Sequence, residues 1–254
     1  MWKIFAVTSQ GQRDYSQGRN NQDHVDSYVA ENMAVSFICD GCHGGAHSEV
    51  IAQLSAPFLV RTTRKLLESG VALDNLPDKL FEEYLNYLQW NIDVQFFRTS
   101  EEVEGYIRAY LMCTAIGIVL YKNRILLLSC GDGSFYLNNS VFKVIRSPNN
   151  MASYPAYNMY KRFGFLGKEV KEIVDSEGRR VTIPVGFEVQ ELGVENVDVV
   201  GVASDGLNGL PKLFDELRLY ATSQKSLRFC MNRIATVRGE TVDNATVAFL
   251  VKGG

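Results

Sequence analysis

Residues 34–45 read Ala-Val-Ser-Phe-Ile-Cys-Asp-Gly-Cys-His-Gly-Gly, an apolar run that stops at an Asp-Gly pair and a glycine-rich loop. The short apolar run over 34–39 is typical of a buried β-strand. A similar run over 25–30 precedes it, and Glu31-Asn32 between the two predicts a hairpin turn. Beyond the loop, apolar residues recur at steps of three and four over 48–68, which predicts a long helix. The stretch therefore predicts two paired strands, a loop that carries Asp40, and a helix.

Hydrophobic periodicity extends this prediction to the rest of the chain. Three further helices are predicted, over 78–97, 210–221 and 225–236. Three separate strands are predicted over 3–8, 197–203 and 245–251. Four consecutive strands, interpreted as one antiparallel meander, are predicted over 114–121, 125–130, 134–137 and 141–145. Strands, a helix pair, strands, helices and a last strand follow one another, an order that is typical of an α+β fold.

Residues 147–186 are the least regular part of the sequence. They combine prolines, glycines and a run of tyrosines, which predicts a flap-like excursion packed over the edge of the fold. Excursions of this length are often functional. No repeat or linker divides the chain, so we expect a single domain over 1–254.

Composition excludes several classes of function. The 254 residues carry 26 Lys and Arg against 29 Asp and Glu, a formal net charge of -3, so no broad cationic surface for nucleic acid is expected. The longest apolar runs stop far short of the roughly 18 to 20 residues that cross a bilayer, so no membrane span is expected. The N-terminal residues lack a signal-peptide pattern, and the five scattered cysteines are interpreted as reduced thiols. We therefore expect a cytoplasmic protein.

Four aspartates share one context, because each lies at the end of an apolar run beside a glycine or a small polar residue. They are Asp40, Asp132, Asp205 and Asp243. If these ends converge, four carboxylates meet, and their repulsion requires either protonation or cations. Oxygen ligands suit hard ions such as Mg²⁺ or Mn²⁺, and Gly41 lets a backbone carbonyl approach such an ion. Because Asp-Gly after a strand is also a common turn, it is the set of four that indicates a metal site.

These aspartates belong to an ordered set of motifs between residues 11 and 251. The motifs are 18–23 (Gly-Arg-Asn-Asn-Gln-Asp), 39–45 (Cys-Asp-Gly-Cys-His-Gly-Gly), 113–115 (Cys-Thr-Ala), 129–137 (Ser-Cys-Gly-Asp-Gly-Ser-Phe-Tyr-Leu), 203–207 (Ala-Ser-Asp-Gly-Leu) and 243–246 (Asp-Asn-Ala-Thr). In order and spacing they resemble the metal-dependent serine/threonine protein phosphatases of type 2C. The short form with Gln22-Asp23 is most similar to the compact bacterial branch of that family.

The resemblance implies both a fold and a metal centre. The fold would be a four-layer α-β-β-α sandwich of two antiparallel sheets flanked by helix pairs. The ligands of two Mn²⁺ or Mg²⁺ ions would be Asp40, which bridges them, the Gly41 carbonyl, Asp205 and Asp243, with Asp132 for a third ion and Asp23 binding directly or through water.

The activity implied by the resemblance is hydrolysis of phosphoserine and phosphothreonine in proteins. A pair of metal ions lowers the pKa of a water that attacks phosphorus, and Asp40, Asp205 and Asp243 would act through that water. The sequence contains no Cys-x5-Arg loop of a cysteine phosphatase. Partners would be a phosphorylated protein and a cognate serine/threonine kinase, and the protein would be a monomer.

A positively charged side chain should bind the phosphate, because a guanidinium can hold two of its oxygens. Arg19 is the first candidate and Arg13 the alternative. His43 would be a general acid, or else a histidine bonded to the backbone of a tight loop. The sequence departs from the family pattern in having Cys42 directly after the first Asp-Gly and Gly133-Ser134-Phe135 in the motif for the third ion.

These departures leave two other hypotheses open. One is a binding module that keeps the fold and has lost turnover, and the other is a phosphatase of small molecules. The tyrosines of the excursion, among them Tyr154, either alter substrate choice or pack the excursion onto the domain.

Overall fold

Two antiparallel sheets form the centre of the protein. The computed structural model describes residues 1–138, 140–145, 152–174, 178–208 and 210–253. Strands and helices are numbered here along the chain. The first sheet contains, in spatial order, β1 (Trp2–Ser9), β12 (Ala245–Lys252), β11 (Val199–Ala203), β6 (Gly133–Leu137) and β7 (Ser140–Ile145). The second sheet contains β10 (Glu188–Gly193), β5 (Arg124–Cys130), β4 (Ala115–Tyr121), β3 (Met33–Asp40) and β2 (Asp23–Ala30).

Helices cover the outer faces of both sheets. Against the second sheet lie α2 (Ser48–Glu68), α3 (Leu76–Asp93) and α4 (Ser100–Tyr110), and against the first lie α6 (Pro211–Leu219) and α7 (Gln224–Asn232). Two short helices, α1 (Gln12–Ser16) and α5 (Tyr157–Arg162), lie outside these layers. The predicted α+β sandwich of two antiparallel sheets flanked by helices is confirmed.

Alternation of side chains along the central strands builds three apolar layers. In β3, Phe37 and Cys39 pack toward α2 and α3, whereas Ile38 packs between the two sheets. In β12, Phe249 packs toward α6 and α7, whereas Leu250 packs between the sheets. Strands buried on both faces are apolar without interruption. This explains why these strands could be predicted from their composition.

The predicted meander over 114–145 is wrong at its middle. Strands β4 and β5 pair with each other in the second sheet, while β6 and β7 pair in the first. The chain crosses from one sheet to the other at Gly131-Asp132. Side chains alternate in the same way whether two consecutive strands lie in one sheet or in two facing sheets. The sequence pattern therefore does not distinguish the two cases. The crossover places Asp132 between the two sheets.

Helix α4, strand β10 and the short helix α1 were not predicted. The helix predicted over 78–97 ends at Asp93, and a separate helix, α4, follows it. This helix buries only Ile107, although Thr99 and Glu102 form a capping box at its start that is visible in the sequence. Strand β10 lies at the edge of the second sheet, paired with β5, and buries none of its side chains, so it lacks an apolar run.

The excursion predicted over 147–186 is more regular than expected. It contains α5 and a small hairpin of β8 (Glu172–Val174) and β9 (Arg180–Thr182), while its residues 147–151 and 175–177 lie outside the described part of the chain. Arg162 fastens it to α3, because its guanidinium donates to Glu82 Oε1 at 2.7 Å, Asn86 Oδ1 at 2.9 Å and Gln89 Oε1 at 3.0 Å. The excursion is therefore held against the helical layer.

The core between the first sheet and its helices offers a test of the fold. Phe249 is fully buried, with ring centroids 5.5 Å from Phe214 and 6.0 Å from Tyr136. We expect Phe249→Ala to lower the free energy of unfolding by about 3 to 5 kcal/mol, because it removes buried area and leaves a cavity. Urea unfolding measures this loss. The control is Phe229→Ala on the exposed face of α7, which should cost less than about 1 kcal/mol, and equal losses in the two variants would contradict the packing described here.

Candidate active site

The ends of six strands meet around one cleft. Strand β3 ends at Asp40, β2 begins at Asp23, Asp132 lies between β5 and β6, Asp205 follows β11 and Asp243 precedes β12. The cleft has a volume of about 260 Å³. Its lining residues are Arg13, Gln22, Asp40, Gly41, Cys42, His43, Gly44, Thr114, Asp132, Ala152, Tyr154, Asp205 and Asp243. All four aspartates singled out in the sequence therefore lie in the same cleft.

Asp23 and Asp40 lie directly opposite each other on paired strands. Asp23 is buried, and its Oδ2 accepts a hydrogen bond of 2.7 Å from the hydroxyl of Ser204, which belongs to the other sheet. Burial raises the pKa of Asp23 to about 6, although the interactions with Asp40 and Ser204 oppose this shift. Its Oδ1 is buried without a hydrogen-bond donor. One oxygen of Asp23 thus joins the sheets, and the other lacks a partner.

Asp40 is the centre of the carboxylate group. Burial and then the charges of Asp23 and Asp205 raise its pKa well above the ordinary range. Burial also raises the pKa of Asp205, and the charge of Asp243 adds to this effect. Burial, followed by the charge of Asp205, raises the pKa of Asp132 to about 6. The five carboxylates thus form a continuous chain of mutually repelling groups.

The type and packing of these groups fit divalent cations. All the side chains concerned are carboxylates, which are the ligands that Mn²⁺ and Mg²⁺ prefer. The unpartnered Oδ1 belongs to Asp23, a buried carboxylate that interacts with Asp40 and Asp205. Among the described residues, no three acidic, histidine or cysteine side chains are already arranged around one point as metal ligands. Asp40 instead lies beside Asp23 and Asp205, whose charges raise its pKa.

Two glycines bring the loops of the cleft together. A Cβ on Gly41 would lie 2.8 Å from the backbone of Ser48, at the start of α2. A Cβ on Gly206 would overlap the carbonyl oxygen of Asn244. Only glycine allows backbones to approach this closely. Close packing therefore requires glycine in both Asp-Gly pairs. Gly206 keeps Asp205 beside the loop that carries Asp243.

Arg13 lies inside the cleft. Its Nη2 donates to Asp243 Oδ2 at 2.6 Å, and its Nε is buried without an acceptor. The position of Arg13 is set by the backbone, because its N–H donates to the Val242 carbonyl at 3.0 Å and Asn244 Oδ1 accepts from Gly11 N–H at 3.0 Å. The guanidinium thus keeps donors beyond those that it shares with Asp243.

Arg19 and His43 lie at the rim. Arg19 is exposed, and its Nη1 donates to the His43 carbonyl at 3.0 Å and lies 3.3 Å from His43 Nε2. Among the described residues, those that line the cleft include Arg13 and His43 but not Arg19. The structure therefore places Arg19, the first candidate from the sequence, outside the lining of the cleft and Arg13, the alternative, within it. Which arginine binds phosphate stays a prediction.

Sequence reasoning missed Asp14 and did not place Tyr154 or Thr114 in the site. Asp14 is fully buried, accepts a 2.6 Å hydrogen bond from Asn244 Nδ2, and has Oδ1 3.4 Å from His43 Nδ1. Asp14 lies in a polar stretch of sequence that does not indicate burial. It is buried only because other parts of the fold pack against it. Thr114 Oγ1 accepts from the Asp40 N–H at 3.3 Å. Tyr154 reaches the cleft from the excursion.

Comparison with known proteins adds a family and a fold. The sequence model of the family described as protein phosphatase 2C matches residues 10–250. No curated protein matches the sequence. The described part of the chain contains no helix long and apolar enough to span a membrane.

Several solved structures share the fold at low sequence identity. The serine/threonine phosphatase Stp1 from Staphylococcus aureus is 16% identical, with a TM-score of 0.60 and coverage of 100% of this chain and 96% of that one. The S. agalactiae serine/threonine phosphatase is 17% identical, with a TM-score of 0.60 and full coverage of both chains. A bacterial serine phosphatase bearing an R161K mutation is 14% identical, with a TM-score of 0.63 and coverage of 100% and 99%.

The raised carboxyl pKa values predict how stability depends on pH. Because the folded-state pKa of Asp132 is raised to about 6, the contribution of this group to stability is greatest in acid and is lost as the pH rises through that value. In protein freed of metal with EDTA, Asp132→Asn should therefore be more stabilising at about pH 7.5 than at about pH 4, by about 1 to 2 kcal/mol. Chemical unfolding at both pH values measures this difference. The exposed Asp198→Asn is the control, and an effect of Asp132→Asn that is the same at both pH values would contradict the burial described here.

Proposed function

Because the chain belongs to the protein phosphatase 2C family, we propose that it removes phosphate from phosphoserine and phosphothreonine in proteins. The observation that carries the proposal is the position of Asp40. The charges of Asp23 and Asp205 both act on Asp40, and Asp132, Asp205 and Asp243 line the same cleft. A buried group of like charges is tolerated only with protons or cations, and a phosphoryl group is attracted to the cations.

The metal centre is part of the proposal. Two Mn²⁺ or Mg²⁺ ions would be held by Asp40, the Gly41 carbonyl, Asp205 and Asp243, with Asp132 for a third ion and Asp23 binding directly or through water. When bound, such ions neutralise phosphoryl oxygens and make a water nucleophilic at neutral pH. The unpartnered oxygen of Asp23 and the all-oxygen donor set support this assignment.

The protein's own side chains would position the substrate. Arg13 is bonded to Asp243 through Nη2, and its remaining donors can hold phosphoryl oxygens beside the carboxylates. Arg19 supports the rim through the His43 carbonyl. We also propose His43 as the group that protonates the departing hydroxyl oxygen, since Asp14 Oδ1 lies 3.4 Å from its Nδ1.

The remaining parts of the proposal concern the biological context. The substrate would be a protein phosphorylated by a serine/threonine kinase, and the enzyme would act as a monomeric single domain over 1–254, with residues 147–186 as its flap. A cytoplasmic location is supported by the free thiols, since the structure leaves Cys39, Cys42, Cys113, Cys130 and Cys230 unpaired.

The role of Asp40 can be tested directly. We expect the wild-type protein to hydrolyse p-nitrophenyl phosphate and a phosphothreonine peptide when Mn²⁺ is added, and EDTA to abolish this activity. Asp40→Asn should reduce kcat/KM by about 100-fold or more, because it removes a charge at the centre of the carboxylate group. Isothermal titration with Mn²⁺ should show weaker binding in the same variant.

The exposed Asp198→Asn serves as the matched control and should behave as wild type. Activity that survives EDTA, or that Asp40→Asn leaves unchanged, would overturn the proposal. Phosphopeptide binding without turnover in the wild type would support the binding-module hypothesis, which the departures at Cys42 and Gly133 suggest. Much faster turnover of phosphosugars than of phosphopeptides would support the small-molecule hypothesis.

The two arginines make separable predictions. Arg13→Ala removes donors inside the cleft and should raise KM for p-nitrophenyl phosphate by about tenfold, as expected for a lost charged hydrogen bond. Arg19→Ala should change KM by less than about threefold, because Arg19 contacts the backbone of the rim. Steady-state kinetics of both variants shows which arginine binds phosphate, and thermal unfolding checks that both variants are folded. A larger effect from Arg19 would restore the preference drawn from the sequence.

A further inference from the structure

Tyr154 brings the excursion into the cleft. It lines the same cavity as Arg13, Asp40, Asp132 and Asp205. Its side chain packs at the edge of the second-sheet core, beside Cys42. A tyrosine that lines a polar cleft has a use beyond packing, since the ring fills apolar space while the hydroxyl is free to make a hydrogen bond.

The backbone around Tyr154 is held in place. The Tyr154 N–H donates to the Ala152 carbonyl at 3.1 Å, and the Tyr154 carbonyl accepts from Tyr157 N–H at 3.1 Å. Asn158 Nδ2 donates to the Pro184 carbonyl at 2.9 Å, which joins the two arms of the excursion. Together with the bonds from Arg162 to α3, these hydrogen bonds hold in place the backbone that carries Tyr154. Because this backbone is ordered before a substrate binds, binding costs less conformational entropy.

The hydroxyl of Tyr154 is a protonated donor with a weak partner. Burial, the Cys42 thiol and the charges of Asp40 and Asp132 raise the pKa of Tyr154 well above 10. The Cys42 thiol, which lies beside this side chain, is a poor acceptor. A phosphoryl oxygen carries negative charge and accepts far more strongly. Substrate would therefore replace the thiol as the partner of this hydroxyl.

The neutral polar groups at the base of the cleft are already engaged. Gln22 Nε2 donates to Ser48 Oγ at 3.1 Å, and Thr114 Oγ1 accepts from the Asp40 N–H. Arg13 shares Nη2 with Asp243 and keeps its other donors. Most of the remaining side chains are carboxylates, which repel phosphate unless cations intervene. A neutral donor on the flap side of the cleft is thus complementary to the phosphoryl group.

We propose that Tyr154 determines substrate affinity by donating a hydrogen bond from its hydroxyl to a phosphoryl oxygen of the bound phosphomonoester. This inference rests on the proposed phosphatase function. It assigns to the flap a contact with the phosphoryl group itself, which every substrate shares, rather than with the peptide around it.

The test compares Tyr154→Phe with wild type on three probes. These are p-nitrophenyl phosphate, a phosphothreonine peptide, and inorganic phosphate as a competitive inhibitor. Loss of one hydrogen bond to a charged acceptor should weaken all three by a similar factor of about tenfold, seen in KM or in the inhibition constant. Because Phe keeps the ring, thermal unfolding of the variant should match that of wild type.

Tyr160→Phe is the matched control. Tyr160 is another tyrosine of the excursion, but its hydroxyl interacts with Arg108 instead of facing the cleft. It should leave all three constants unchanged. Unchanged constants in Tyr154→Phe, or a loss for the peptide alone, would overturn the inference while wild-type turnover kept the proposed function intact. Absence of turnover in the wild type would instead contradict the proposed function.

Discussion

Repulsion among buried carboxylates is the constraint on which this site depends. Asp40 lies between Asp23 and Asp205, and the charges of both make its ionisation less favourable. These groups stay together because their strands are paired or packed: Asp23 and Asp40 are register partners, and Asp205 follows a strand of the facing sheet. The hydroxyl of Ser204 joins the sheets at this point through Asp23. The free energy of packing the two sheets thus offsets the repulsion among the carboxylates. Cations bound between them would relieve this repulsion, which favours cation binding.

The same constraint explains why the loops around the cleft are so closely packed. Asn244 accepts from Gly11 and donates to Asp14, so one amide joins the start of α1 to the strand that follows Asp243. Gly206 lets its loop pass against the Asn244 carbonyl. These contacts leave the carboxylates little freedom to separate. A site built in this way keeps its geometry in the absence of substrate, which favours rapid and specific binding.

Strands and helices with a strong apolar pattern could be predicted from the sequence, and those without one could not. Strand β3 and helix α2 were found at nearly their observed limits because each buries a continuous apolar surface. Helix α4 buries only Ile107. After β5 the chain crosses to the other sheet, and the position that it takes there depends on contacts distant in sequence. In the site, the aspartates carried a signal because each ends an apolar strand. Asp14 carried none, since only its contacts with His43 and Asn244, which are distant in sequence, connect it to the site.

Cys42 and Tyr154 were unrelated observations in the sequence, and their proximity in the structure makes them one feature. The phenol occupies the space beside a small thiol, so a longer side chain at position 42 would compete with Tyr154 for the same part of the cleft. The size of residue 42 therefore sets how far Tyr154 extends into the cleft. In this chain Tyr154 lines the cleft, and Arg162, at the other end of α5, bonds the excursion to α3. The approach of the excursion to the cleft thus depends on the residue after Asp40-Gly41 as much as on the excursion itself.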